Sequence, residues 1–117
     1  MPETVVPIEL TVTPTKVTVN VPGNTVIHNG DNQTVKWRVT GGKFVATDPI
    51  DFGGKSPKKT SGKAENPLRS SDTECSFTYN NRNPKDTFTR FKYTVSIERD
   101  GVIYEIDPEM TNEPPMP

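Results

Sequence analysis

Between residues 91 and 106 the chain reads F-K-Y-T-V-S-I-E-R-D-G-V-I-Y-E-I, strand-like on both sides of Asp100-Gly101. Period-two alternation is the mark of a half-buried strand. The Asp-Gly pair suits a two-residue type I′ turn, whose central residues both need φ > 0. Such a turn sets Arg99 opposite Val102, Ile97 opposite Tyr104 and Val95 opposite Ile106. Phe91, Tyr93, Val95 and Ile97 then share one face with Val102, Tyr104 and Ile106. A slip of one residue would scatter that set over both faces. Turn chemistry and apolar pattern therefore predict the same hairpin.

The alternation recurs upstream. Ile8, Leu10 and Val12 are interrupted by Thr13-Pro14-Thr15, and Val17, Val19 and Val21 resume the pattern. Two short strands, or one strand bent at Pro14, would explain this, with Pro14 at an edge because proline has no N–H for a ladder. Pro22-Gly23-Asn24 reads as a turn and Thr25 to His28 as a further short strand. From Thr34 to Thr40, Val35, Trp37 and Val39 face one way. Trp37 is the only tryptophan and is expected at the centre of the core. Gly41-Gly42 turns the chain, Phe44 to Ala46 returns, and Asp48 to Phe52 is extended. Cys75, Phe77 and Tyr79 form the remaining alternating set, directed inward.

No helical periodicity and no repeat is present. Seven or eight short strands punctuated by turns predict an all-β fold, an antiparallel two-sheet β-sandwich of Greek-key type. The sandwich domain is expected over residues 8–108, between a flexible N-terminus (1–7) and a flexible, acidic, proline-rich tail (109–117). Residues 53–73 carry no pattern and read as one long loop, of a length that is usually functional or disordered. Leu68, its one large apolar residue, is the expected anchor to the body.

Composition changes this picture little. Only 30% of the 117 residues are hydrophobic and twelve are proline, which alone would fit a disordered chain. The β-branched and aromatic segments argue for a folded centre with polar loops. A net charge of −1 gives no electrostatic case for nucleic acid or an anionic membrane. No apolar run approaches the roughly 20 residues of a membrane span. The first residues show neither a basic nor an apolar leader segment, so the expected location is the cytoplasm or, for a trimmed domain, outside it. One cysteine excludes an intrachain disulfide framework.

Candidate chemistry is sparse. Gly53-Gly54-Lys55-Ser56 ends like a phosphate-binding loop, but Pro49 stands where its first glycine belongs and Pro57 opposes the helix that should follow. Nucleophilic catalysis needs a base near the nucleophile. The lone His28 sits beside Asn29-Gly30 in a predicted turn, and Cys75 behaves as a small apolar side chain. Two Cys/His residues fall short of a zinc site, and no D-x-D-x-D-G spacing marks calcium. No catalytic residue, metal ligand or cofactor is therefore assigned. Asn32-Gln33-Thr34 fits a glycosylation sequon, read as incidental. Residues 53–73 hold Lys55, Lys58, Lys59, Lys63 and Arg69 against Glu65 and Asp72, a net +3, whereas Glu105 onward is net −4. These five cations are the candidate contacts for a protein partner. No aromatic residue interleaves them as stacking on nucleic acid would require.

With its strands placed, the chain resembles a cupredoxin-like or Ig-like Greek-key sandwich. The T-V-K-W-R-V strand (Thr34 to Val39), the F-x-Y-x-V-x-I strand (Phe91 to Ile97) and the closing D-G hairpin carry the resemblance. Copper-holding cupredoxins use two histidines, a cysteine and often a methionine. Here no histidine follows Cys75 and Met110 lies far beyond it, so the resemblance implies scaffold without copper chemistry. The function expected is a non-enzymatic module that binds another protein through its loops, or, as the alternative, a structural or assembly domain.

Overall fold

The computed structural model describes residues 3–116. Every regular element among them is a strand. In chain order these are β1 (Glu3–Val12), β2 (Val17–Asn20), β3 (Asn24–Ile27), β4 (Gly30–Thr40), β5 (Lys43–Phe44), β6 (Ile50–Asp51) and β7 (Lys59–Thr60). There follow β8 (Lys63–Ala64), β9 (Leu68–Ser71), β10 (Glu74–Asn81), β11 (Thr89–Lys92), β12 (Thr94–Arg99), β13 (Val102–Ile106) and β14 (Glu109–Asn112). The fold is all-β, with fourteen strands in four hydrogen-bonded sheets rather than seven or eight in two. Several of the additional strands are two-residue bridges, too short to leave an alternation in the sequence.

The largest sheet runs β2-β1-β4-β10-β9. Alternation buries Val6, Ile8 and Leu10 of β1, Val35, Trp37 and Val39 of β4, and Cys75, Phe77 and Tyr79 of β10. Trp37 meets the rings of Phe52, Phe77 and Tyr93 edge-on, at centroid distances of 6.3, 5.4 and 5.7 Å. Its indole Nε1 donates to the Tyr93 hydroxyl at 3.2 Å, so the ring is buried without an orphaned polar group. After β4 the chain reverses through Gly41 at φ 87°, where a Cβ would lie 2.7 Å from the Leu10 carbonyl oxygen. Only glycine fits there.

The predicted hairpin forms in the predicted register, with Val95 opposite Ile106, Ile97 opposite Tyr104 and Arg99 opposite Val102. Asp100 and Gly101 take φ of 51° and 77°, as the turn requires. The pairing then runs on beyond the predicted segment. Phe91 faces Met110 and Thr89 faces Asn112 in the same register, and the Tyr93 N–H bridges the gap to the Pro108 carbonyl at 3.2 Å. Residues 89–112 are thus one ribbon, interrupted where Pro108 has no N–H to offer. Strand β3 adds to the β14 half of one arm, and β5 and β6 add to the β12 half of the other.

Two of these pairings are parallel, β1 with β4 and β3 with β14, so the architecture is not purely antiparallel. Parallel neighbours need a long return connection, and in both pairs other strands intervene in the chain.

Strands lie at both ends of the described part. Strand β1 begins at Glu3, and Glu109–Asn112 is a strand whose Met110, Thr111 and Asn112 are buried. The acidic, proline-rich surroundings hide this four-residue element from a pattern reading. Residues 1, 2 and 117 lie outside the described part.

Nor is 53–73 one open loop. It holds β7, β8 and the whole of β9, with Ser61-Gly62 turning at φ 52° and 80°. Leu68 is not its anchor, being 77% exposed. The anchor is polar. The buried Ser56 hydroxyl donates to the Glu65 carbonyl at 2.6 Å and accepts the Lys58 N–H at 3.1 Å. Asn66 Oδ1 accepts the Phe52 N–H at 2.8 Å.

Candidate functional site

Strand β6 runs beside β12 only as far as Asp51, opposite Thr94. Gly53, at φ 64°, then turns the chain away, with its N–H donated to Asp51 Oδ1 at 2.7 Å. The adjoining strand β11 is left as an edge, bordered by a groove of about 610 Å³. Phe52, Lys55, Arg90, Phe91, Lys92 and Glu109 line it. The Phe52 ring is held by stacking on Tyr93 at 4.8 Å and on Phe77 at 5.7 Å, so that wall is fixed by the core.

Hydrogen-bond parity shows what the edge presents. On this arm the Ser96 N–H bonds Pro49 and the Ser96 carbonyl accepts from Val45, while the Tyr93 N–H points to the opposite arm. Even-numbered residues therefore aim their backbone groups outward from the ribbon. On β11 these are Arg90 and Lys92. The edge offers two N–H and two C=O groups to a fourth strand.

The cations of this groove stand outside the ion pairs of the described residues, as Lys16, Lys59, Lys63 and Lys85 also do elsewhere on the surface. Lys36 and Arg38 pair with Glu74, Lys43 with Glu98, Lys58 with Glu65, Arg69 with Asp72 and Arg82 with Asp31. Among the described residues Lys55, Arg90 and Lys92 take part in none of the ion pairs, although Glu109 stands across the ladder from Lys92. Three cations against one carboxylate make the groove basic.

The five cations expected to act together are dispersed. Lys55 reaches the groove. Lys58 and Lys59 border a separate depression of about 420 Å³ with Asn32, Thr78 and Asn80. Lys63 stands exposed on β8. Arg69 is tied inward, donating to the Phe44 carbonyl at 3.3 Å and to Asp72 at 2.5 Å. Arg90 and Lys92, which complete the basic groove, were outside the sequence reading. Their alternation with Phe91 marked them as the outer face of a strand, but nothing local showed that this strand is an edge.

The residues weighed for catalysis lie apart. Cys75 is buried in β10, and burial pushes its thiol up to about 12, so it stays protonated at neutral pH. His28 is an exposed residue following β3 whose Nδ1 meets the Glu113 carboxylate. Beside it, Asn81 donates to the carbonyls of Ile27, His28 and Glu113 at 3.0, 3.0 and 3.1 Å, a junction of strands rather than a cleft. Burial also pushes the Tyr93 hydroxyl up to about 12 and that of Tyr79 upward. The Arg82 hydrogen bond lowers the exposed Asp31 carboxyl. Ser56, last residue of the G-K-S sequence, spends its hydroxyl on the Glu65 carbonyl, and no helix follows it.

Among the described residues no group of three or more His, Cys, Asp or Glu side chains is arranged to hold a metal ion. Among the same residues no helix is long and apolar enough to cross a membrane. No protein-family model matches the chain, and no curated protein matches it either.

Proposed function

We propose that this chain is a non-enzymatic β-sandwich, cupredoxin-like or Ig-like in outline, that binds another protein by accepting an extended acidic segment against β11. The observation that carries the reading is the coincidence of an open strand edge with three cations that have no ion-pair partner. Strand addition draws affinity from the main-chain ladder and specificity from alternate side chains. Here the ladder groups of Arg90 and Lys92 are unpaired by neighbouring strands, and their side chains with Lys55 would favour carboxylates over neutral residues. Phe91, half-buried on the opposite face of the strand, offers an apolar contact.

Titration of an isotope-labelled chain with a synthetic extended peptide carrying alternate glutamates tests this. Amide shifts are expected at residues 89–92, weaker as salt rises and lost in Arg90→Glu/Lys92→Glu. Shifts confined to the Lys58–Lys59 depression, or binding untouched by the double substitution, would overturn the assignment.

A further inference from the structure

The ribbon has a second open edge. Strand β3 covers its β14 half, receiving the N–H of Glu109 at Gly23 and that of Glu113 at Ile27. On this arm odd-numbered residues therefore point outward. Among the described residues no strand lies beyond β13, so Ile103 and Glu105 present free backbone groups there. Side chains at this edge are apolar and acidic. Val102 and Ile103 are 49% and 58% exposed, and Glu105 is exposed with no cation paired to it among the described residues. The two open half-edges thus sit on opposite sides of one ribbon and at opposite ends of it, one basic and one acidic.

We propose that these half-edges join copies of the chain head to tail, β13 of one copy adding antiparallel to β11 of the next. This rests on the groove reading above and names a second copy as the source of the acidic strand. Charge selects the pairing. Two β11 edges would oppose Arg90 and Lys92 to their own kind, a like-charge contact that destabilises a ladder, and two β13 edges would bring Glu105 no cation to pair with. Only the mixed pair brings opposite signs together. Geometry narrows the register. Asp51 already occupies the place opposite Thr94, so the incoming Asp100-Gly101 tip stops beside Lys92. Matching the free backbone groups then sets Ile103 opposite Arg90 and Val102 opposite Phe91. Glu105 falls opposite Phe88, one diagonal step from Arg90. The contact covers Val102, Ile103 and Phe88, which are among the few large apolar side chains exposed in the monomer. Because the two patches differ, the interface is heterologous and propagates unless it closes into a ring.

Sedimentation of the whole chain from ~10 μM to ~1 mM, the range of weak specific contacts, tests the proposal. Mass is expected to climb past the dimer with concentration and to fall with salt. Arg90→Glu/Lys92→Glu spoils the β11 edge, and Ile103→Glu spoils the β13 edge. Each variant alone is expected to remain monomeric. A one-to-one mixture should give a heterodimer and nothing larger, since each variant keeps the edge that the other lacks. That recovery also shows that both variants are folded. A monomer throughout the range, or assembly that either variant leaves intact, would overturn the proposal. If the chain stays monomeric while the glutamate peptide still shifts residues 89–92, self-assembly fails and the groove reading stands. If neither occurs, both fall.

Discussion

The 89–112 ribbon and the 53–73 stretch are of similar length, and they are fixed by opposite means. In the ribbon a two-residue turn sets the register, and apolar side chains on one face hold it against the core. Val95 and Ile97 are fully buried, and each contributes ~1.5–3 kcal/mol by the usual worth of such burial. Apart from the buried Pro67, the 53–73 stretch has little apolar surface to bury. Its course is set by side-chain hydrogen bonds from Ser56 and Asn66 to backbone groups. Such bonds are modest in net worth but costly to break on one side only. A chain of low hydrophobic content can therefore order a long polar segment by satisfying its backbone instead of hiding it.

Substitutions on either side probe that contrast. Ile97→Ala empties a fully buried place on the ribbon and is expected to lower unfolding stability by ~2–5 kcal/mol in urea titration. Ser56→Ala strands the Glu65 carbonyl and the Lys58 N–H and is expected to cost ~1–3 kcal/mol. Limited proteolysis should then cut within 53–73 well before the ribbon opens. Equal protection of that stretch in wild type and variant would show that the serine is not its anchor.

Alkali gives the smallest effect at moderate pH. The Cys75 thiol rises from 9.0 to about 12 on folding and the Tyr93 hydroxyl from 10.0 to about 12. Both groups are held neutral in the folded chain. Their contribution is complete below pH 9 and is lost as pH climbs toward 12, because the unfolded chain releases its protons first. Stability measured between pH 9 and 10 should decline gently, and Cys75→Ala should flatten the decline.

Much of the ribbon was legible in the sequence because its information is local. Asp100-Gly101 states the turn, and Phe91, Tyr93, Val95 and Ile97 state the face. Trp37 was legible as the core centre because a single large ring on an alternating strand has few other places to go. What escaped the sequence were properties of neighbours rather than of residues. Nothing in T-R-F-K says that β6 stops at Asp51 and leaves Arg90 and Lys92 on an edge. Nothing in E-M-T-N says that β3 waits beside it, so acidic and proline neighbours made a buried strand look like a tail. Lys58 and Lys59 failed to join Lys55 because Ser56 and Pro57 stand between them and the buried serine fixes where the chain bends.

The parallel seam between β3 and β14 constrains the order of assembly. Asn24 and its partner Glu109 are 85 positions apart, counting 109 less 24. During synthesis the early strand is made long before its mate leaves the ribosome. Ile27, wholly enclosed in the finished molecule, stays uncovered on that side until then. Closing so distant a pair comes at the slow end of folding, so the nascent chain carries a sticky, half-built flank until those 85 further positions have been made.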